Sequence, residues 1–579
     1  MSRRGRWFGK SLALGIAFVL GTLAWSSRAE EEKKADEPAT AAPAEAVAPA
    51  AVPAATAPDP TVAPPAPDPT GATYGGAGVS TSGVLTKADG KVTPATQLQD
   101  IKITKVGLNL MWAMVAGFLV MFMQAGFAFL ETGLCRAKNC AHTMAMNFVI
   151  YGIGLIGFWA AGFAFQMGGV GAIAYWDGPE VLNKIAKFTL FGHEFKVLGQ
   201  TGFFLAGKSN DISVMAMFLF QMVFMDTAAT IPTGALAERW KFKSFFIYGF
   251  FMSMIIYPVY ACWVWGGGWL SQLGANWGLG NGHIDFAGSS VVHMTGAVTA
   301  LAGVIILGPR IGKFNKNGSA NAIPGHNMAY VVMGTLILAF GWFGFNAGST
   351  LSATDPRFVA IAVNTMLASA AGCLASVLYM WAVYGKPDPT MGCNGLLAGL
   401  VAITAPCAFV DTMAAVVIGT LAGLFVVWGV LFFEKVCKLD DPVGALAVHG
   451  VNGAWGCLSI GLFANGQYGG GWNGVATAPT GLFYGGGLGQ LAAQSIGVLT
   501  NIVWVFSSAF LMFYVMEKTM GNRVSAKEEI EGLDIHEMGV PGYAHEETYA
   551  VERAGREHLE TYGPGVPKKK PAQTGVPVA

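Results

Sequence analysis

Eleven apolar runs, separated by short polar joints, follow one another between residues 107 and 516. Each run is long enough to cross a hydrocarbon core of about 30 Å as a helix, except the eighth, which is short. Only 12% of the residues are charged, against roughly 25% in a soluble domain. The sequence therefore predicts an all-α integral membrane protein with eleven transmembrane helices. The predicted spans are 107–133, 143–168, 212–236, 244–270, 287–308, 327–348, 359–384, 393–408, 413–433, 443–464 and 490–516.

Glycine and cysteine usage fits the same fold class. The chain has 78 glycines, and small residues let membrane helices approach one another closely. Its eight cysteines form no CxxC pair and no cluster with histidine. We expect them to be small buried side chains rather than disulfides or metal ligands. The formal net charge is zero, which gives no indication of nucleic-acid binding. We expect no metal, no other cofactor and no enzymatic activity.

The segments around the spans divide the chain into four predicted parts. Residues 1–29 have the basic start, apolar stretch and small-residue cleavage site of a secretory signal peptide, with an uncleaved anchor as the alternative. Residues 30–106 form an Ala/Pro-rich external segment that is predicted to be disordered, because it has no apolar periodicity. Residues 107–517 contain the spans, and 518–579 form the C-terminal tail.

The basic residues predict how the chain crosses the membrane. One alternate set of joints carries clusters such as Arg136 with Lys138 and Arg239 with Lys241. The opposite short joints contain only Arg357, apart from the long insertion at 170–211. Because cytoplasmic joints are enriched in lysine and arginine, we predict a cell-membrane protein with its mature N-terminus outside and its tail in the cytoplasm.

A short repeat links the fifth and tenth spans. The pattern D-x-x-G-x-x-x-V-H occurs at 285–293 and again at 441–449. The two copies lie five spans apart, so they enter the membrane from opposite faces, as in inverted-topology repeats. Each aspartate suits the N-terminus of a helix. Each histidine follows eight residues later, at a predicted depth of about 12 Å.

His293 and His449 are therefore predicted to meet near the centre of the bilayer. Polar residues at this depth are energetically expensive and usually belong to a transport pathway. The alternative is that each histidine is a packing residue with one backbone partner. A metal site is the weaker interpretation, because no carboxylate or thiol is obviously placed to complete it.

The motifs of this chain closely resemble those of the ammonium transporter (Amt/MEP/Rh) family, in its bacterial Amt-type branch. The resemblance covers about 107–543 and implies eleven membrane helices with inverted five-helix repeats, a homotrimer, and one narrow pore in each subunit. A PII-type regulator on the cytosolic face is a partner that the family allows. The similar segments are DFAGSSVVH, LDDPVGALAVHG, QMVFMDTAATIPTGALAERW, WVWGGGWL, GWFGFNAGS and EGLDIHEMG.

The resemblance also implies roles for individual residues. Trp265 and Ser349 are similar to an external pair that recruits ammonium, and Asp285 resembles a structural aspartate near that site. An indole face attracts a cation by roughly 0.5–2 kcal/mol, and a hydroxyl oxygen can accept an ammonium N–H. For any single tryptophan the alternative is a place in the lipid-interface belt.

Two further pairs follow from the same comparison of motifs. Phe224 and Phe345 resemble the stacked phenyl gate, although the place of Phe224 beside Phe345 depends on the resemblance more than on helix geometry. His293 and His449 resemble the twin histidines of the pore. Gly444 departs from the pattern, because many relatives have an acidic residue there.

The resemblance implies an ammonium transporter that conducts ammonia through a hydrophobic pore. Moving an ammonium-sized ion into a dry core costs on the order of 20 kcal/mol in the idealised limit, and loss of a proton avoids most of this cost. The alternatives are an ammonium sensor or transceptor, and a Rhesus-type gas channel that lacks the Trp/Ser pair. The insertion at 170–211, the loop at 465–488 and the tail after 543 lie beyond the common core, and their roles stay open.

Overall fold

The computed structural model describes residues 94–471, Val475 and 477–543. In this part of the chain, ten helices are long and apolar enough to cross a membrane, and an eleventh apolar helix is shorter. In chain order they are α1 (Pro94–Leu134), α2 (Ala137–Met167), α3 (Ile212–Ala235), α4 (Phe242–Val264), α5 (Ser289–Leu307), α6 (Met328–Thr350), α7 (Phe358–Tyr384), α8 (Pro389–Thr404), α9 (Thr412–Lys435), α10 (Leu446–Phe463) and α11 (Gly489–Thr519). The predicted all-α membrane fold, with a short eighth helix, is confirmed.

The first helix differs from the prediction at its start. It begins at Pro94, inside the segment that was predicted to be disordered up to residue 106. Proline is well tolerated in the first turn of a helix, and no glycine follows it before Gly107. Among the described residues, those from Val106 onward form one compact unit, and 94–105, the start of α1, belong to another. The predicted signal peptide at 1–29 lies outside the described residues.

The insertion at 170–211 contains a two-stranded antiparallel hairpin. Strands β1 (Ile185–Leu190) and β2 (His193–Gly199) pair through the register Phe188 with Phe195. Strand β2 is joined to the end of α4, because the Trp263 indole N–H donates to the Val197 carbonyl at 3.0 Å, and the Trp269 N–H in the following loop donates to the Lys196 carbonyl at 3.0 Å. We call this end of the helix bundle the hairpin face, and the end that carries residues 520–543 the tail face.

The two histidine helices begin at opposite ends of the short helix α8. At the start of α5, the Phe286 and Ala287 N–H groups donate to carbonyls at the C-terminal end of α8, Ala405 and Thr404. At the start of α10, the Val443 carbonyl accepts a hydrogen bond from Asn394, near the N-terminal end of α8. Helices α5 and α10 therefore enter the bundle from opposite faces, as the repeat predicts.

A buried charge cluster holds the joints of the tail face together. Arg310 donates to both carboxylate oxygens of Asp440 and to Glu238, and all three side chains are almost fully buried. Burial alone would raise the pKa of Asp440, but the hydrogen bonds from Arg310 and the nearby charges of Arg239 and Arg310 lower it to about 2. The guanidinium of Arg239 donates to four backbone carbonyls. Glu238 and Arg239 are thus structural, and neither snorkels to water.

The described part of the tail packs against these joints. The Asp534 carboxylate accepts a hydrogen bond from the His142 N–H, Glu529 accepts one from the Ile311 N–H, and Glu537 accepts one from the Phe242 N–H. The tail thus contacts the beginnings of α2 and α4 and the joint that follows α5.

Candidate functional site

Asp285 caps the start of the first histidine helix. Its Oδ1 accepts hydrogen bonds from the Gly288 and Ser289 N–H groups, at 2.8 and 2.9 Å. Its Oδ2 accepts from the Ser290 and Val291 N–H groups and from the Ser290 hydroxyl, at 2.7 to 2.9 Å. Five donors therefore converge on one buried carboxylate, which fixes where α5 begins.

Asp441 makes a similar cap at the start of the second histidine helix. Its Oδ1 accepts from the Val443 and Gly444 N–H groups, at 3.2 and 3.0 Å, and its Oδ2 accepts from the Leu446 N–H at 2.8 Å. Gly444 has a φ of 81°, and Gly288 in the other copy has a φ of 124°. A side chain at either position of this chain would be strained, so its backbone favours glycine there.

The segment between each aspartate and its histidine is not a regular α-helix. Helical structure begins only at Ser289 and at Leu446, and each histidine lies in a π-helical turn, Ser289–Met294 or Leu446–Val451. The predicted depth of about 12 Å assumed eight α-helical residues. That assumption is wrong, because the cap and its left-handed glycine occupy the first part of each motif.

The two histidines nevertheless meet inside the bundle. The Nδ1 atoms of His293 and His449 lie 3.2 Å apart, within hydrogen-bond distance, and the ring centroids are 5.3 Å apart. His293 is fully buried and His449 is 5% exposed. Since two Nδ1 atoms can share one hydrogen bond only if one carries the proton, the pair consists of one donor and one acceptor.

A continuous series of rings leads from this pair towards the hairpin face. The ring of His293 stacks on Phe345 at 5.4 Å between centroids, and Phe345 contacts Phe224 at 4.2 Å. Phe224 in turn contacts Trp265 edge-on at 6.1 Å. We call these five side chains, Trp265, Phe224, Phe345, His293 and His449, the ring column. The structure thus brings the predicted gate pair into direct contact.

At the hairpin-face end of the column, Trp265 and Ser349 line the same cleft. The Trp265 indole N–H donates to the Asp285 carbonyl at 2.6 Å, so the π face of the indole, not its N–H group, is what the cleft offers to a ligand. The Ser349 hydroxyl donates to the Phe345 carbonyl at 2.7 Å, which leaves its oxygen able to accept. An aromatic face and a hydroxyl acceptor can bind a small cation with N–H groups.

Two further residues of this region, Trp342 and Gln221, were not predicted from the sequence. Trp342 stacks on His293 at 5.1 Å between centroids and also contacts Phe345 at 5.6 Å, and Gln221 lines the cleft beside Phe224. Each lies three residues before a predicted gate residue, so helical spacing could have indicated both. Within the described ranges, no group of three or more His, Cys, Asp or Glu side chains is placed to hold a metal ion.

The fold and the ring column define a multi-pass membrane protein with paired imidazoles at the core of its helix bundle. The family model described as Ammonium Transporter Family matches residues 111–543. The chain therefore belongs to the ammonium transporter family. It is 47% identical to "Ammonium transporter Amt2" of Archaeoglobus fulgidus over 75% of this chain and 88% of that protein. It is 34% identical to "Ammonium transporter 1 member 3" of Solanum lycopersicum over 76% of this chain and 93% of that protein.

Solved structures show the same fold. The chain resembles a structure named "Sensor Amt Protein" with a TM-score of 0.64 and 34% identity, over 75% of this chain and 99% of that one. It resembles Candida albicans Mep2 with a TM-score of 0.61 and 25% identity, over 73% of this chain and 87% of that one.

Proposed function

We propose that this chain recruits ammonium in the cleft at Trp265 and Ser349, removes one proton, and conducts ammonia along the ring column past His293 and His449. Membership of the ammonium transporter family supports the substrate. The single observation that carries the pathway is the unbroken sequence of ring contacts from Trp265 to the imidazole pair. The ammonia passes with or without the relayed proton.

The cleft accounts for recruitment. An indole face attracts a cation that has lost part of its water shell, by roughly 0.5–2 kcal/mol. The Ser349 oxygen accepts one ammonium N–H in the same cleft. A Rhesus-type gas channel would not need this pair, so the geometry of Trp265 and Ser349 favours an ammonium transporter.

The gate accounts for loss of the proton. Phe224 and Phe345 are fully buried and their rings are in contact, so no water-filled passage runs between them in this arrangement. A bare ammonium ion would lose its solvation beyond this point at a cost on the order of 20 kcal/mol in the idealised limit. Ammonia avoids most of this cost, and a potassium ion has no proton to lose.

The imidazole pair accounts for passage below the gate. Because the Nδ1 atoms are engaged with each other, one imidazole offers ammonia a donor, its Nε2–H, and the other offers an acceptor, its bare Nε2. Their burial among apolar rings keeps other solutes out.

We further propose that the hairpin face lies outside the cell membrane and the tail face in the cytoplasm. The clusters around Arg136, Arg239 and Arg310 lie at the tail face, which agrees with the enrichment of cytoplasmic joints in basic residues. By analogy with the family we propose a homotrimer. A PII-type regulator that binds the tail face, and a cleaved signal peptide, are proposals of the same kind.

The proposal is tested by reconstituting the full-length protein in liposomes and measuring radiolabelled methylammonium uptake together with current. We expect His293→Ala and His449→Ala to lose most of the uptake while they assemble normally. His193→Ala on the hairpin is the matched control, because its ring contacts only Trp277 among the described rings. If both pore variants took up methylammonium at the wild-type rate and with the wild-type selectivity, the histidines would not line the pathway.

A further inference from the structure

A buried pair of side-chain amides stands at the recruitment cleft. Gln221 on α3 is 7% exposed and lines the cleft together with Trp265 and Ser349. Its Oε1 accepts a hydrogen bond from Nε2 of Gln166, near the end of α2, at 2.7 Å. Gln166 is fully buried. Polar side chains inside a membrane helix bundle are energetically expensive and usually belong to a pathway, but recruitment by Trp265 and Ser349 does not use this pair.

The hydrogen bonding of the two amides is incomplete at both ends of the pair. Among the described residues, Gln166 Oε1 has no hydrogen-bond partner. Within the same ranges, Nε2 of Gln221 donates only to the sulfur of Met217, at 3.8 Å, and a thioether is a weak acceptor. Met217 also lines the cleft. One edge of the Gln221 amide therefore faces Gln166, and the other faces the wall of the cleft without a strong partner.

The Gln221 amide can present either of its polar atoms to the cleft. Half a turn about the last side-chain bond exchanges the carbonyl oxygen and the amino group, which are nearly equal in size. If both amides turn, Gln221 Nε2 donates to Gln166 Oε1, so the bond between them is kept in the reverse direction. Gln221 Oε1 then replaces Nε2 at the cleft, and the only bond lost is the weak one to Met217. The two arrangements therefore differ little in free energy.

A cation with N–H groups selects one of these two arrangements. Ammonium has N–H donors on all sides, and the Ser349 hydroxyl can accept only those that point towards it. With Nε2 at the cleft, the amino group of Gln221 would face the cation, whereas with Oε1 there a carbonyl oxygen accepts an N–H. A hydrogen bond to a charged group is stronger than one between neutral groups. Because a ligand shifts an equilibrium by its difference in affinity for the two states, ammonium favours the carbonyl arrangement.

We propose that Gln221 is a third ammonium-binding group of the cleft, which turns its carbonyl oxygen to the cation, and that Gln166 is the positioning residue that fixes this orientation. This inference rests on the proposed function. The ligand class is a small cation with N–H donors on at least two sides, such as ammonium or methylammonium. Ser349 accepts one N–H and Gln221 accepts another, while the indole face of Trp265 stabilises the charge.

The substitution Gln221→Leu removes the acceptor and keeps a side chain of similar size. In liposomes with the full-length protein, we expect the half-saturating methylammonium concentration to rise roughly tenfold or more, because a hydrogen bond to a charged group is lost. The maximal uptake rate should fall by a smaller factor. Gln166→Leu keeps the acceptor but not its orientation, so the half-saturating concentration should rise less. Gln200→Leu is the matched control, because Gln200 is an exposed glutamine directly after β2, and it should keep the wild-type value.

A double variant, Gln166→Leu with Gln221→Leu, separates binding from a structural role. Each single variant leaves one buried amide unpaired and should lower the thermal unfolding midpoint, whereas the double variant leaves none and should recover much of it. If Gln221 binds the cation, the double variant keeps the raised half-saturating concentration.

Two results would overturn the binding role of Gln221. One is an unchanged half-saturating concentration in Gln221→Leu, and the other is a concentration that returns to the wild-type value in the double variant together with the midpoint. Either result, obtained while the wild type transports methylammonium, would refute this inference and leave ammonium transport standing. No uptake by the wild type would refute the proposed function, and this inference with it.

Discussion

His293 Nδ1 and His449 Nδ1 lie 3.2 Å apart, although the two residues belong to helices that enter the bundle from opposite faces. Each helix is fixed by its own aspartate cap, so the contact between the imidazoles depends on two caps that are far apart in the chain. The repeat therefore positions a single hydrogen bond at the core of the bundle.

The contact predicts the effect of His449→Phe. A phenyl ring keeps most of the ring volume but leaves His293 Nδ1 without its partner, which costs about 1–3 kcal/mol in a buried site. We expect a lower unfolding midpoint and reduced methylammonium uptake in liposomes. His193→Phe on the hairpin serves as the control. A variant with wild-type stability and uptake would show that the hydrogen bond contributes to neither.

The glycine of the repeat gives a second prediction. Gly288 has a φ of 124°, and a Cβ there would lie 2.6 Å from Val292 Cγ2 and 3.4 Å from the Trp265 ring. Gly288→Ala should therefore destabilise the protein by about 1–3 kcal/mol from the backbone alone, and the clash should also force the Val292 side chain to move. Gly278→Ala is the control, because its φ is 68° but no atom lies within 4 Å. The thermal unfolding midpoints of both variants test this prediction. Equal midpoints would mean that the steric clash at Gly288 adds nothing to the backbone strain.

Much of this arrangement could be predicted from the sequence, and the failures have physical causes. Apolar runs define the spans, and the D-x-x-G-x-x-x-V-H repeat defines the two caps. The π-helical turns at His293 and His449 could not be predicted, because they follow from the backbone hydrogen bonds around each cap. The contact of Phe224 with Phe345 joins two distant helices, and helix geometry within one span does not determine it.

Two other structural features, the hairpin and Asp226, have signals in the sequence. The insertion at 170–211 forms a hairpin whose turn, Phe191-Gly192, has positive φ at both residues, as a two-residue hairpin turn requires. Asp226 stands inside an apolar span and within the quoted motif, and an ionisable residue in such a place is a functional candidate by position alone. Its pairing with Gln124 required the fold, because the two residues are 102 positions apart.

The cleft predicts a change in apparent affinity. Trp265→Leu removes the indole face, which is worth roughly 0.5–2 kcal/mol to a bound cation, so the half-saturating ammonium concentration should rise by roughly 2- to 30-fold. The current at saturating ammonium should fall by a smaller factor than the half-saturating concentration rises. Trp277→Leu is the control, since Trp277 packs against the hairpin away from the cleft. An unchanged half-saturating concentration would exclude the indole as a recruiting group.

The charge cluster of the tail face predicts how stability depends on pH. The pKa of Asp440 is about 2 in the folded protein, below its ordinary value of 3.8, because hydrogen bonds and charge from Arg310 outweigh burial. A carboxyl group whose pKa is lowered by folding stabilises the fold above its unfolded value and loses this contribution as the pH falls towards the folded value. The contribution is about 2 kcal/mol at neutral pH. Asp440→Asn should therefore lower the unfolding midpoint at pH 6, and the difference from the wild type should shrink between pH 4 and pH 2. A difference that stays constant over this range would mean that Asp440 acts through packing rather than through its charge.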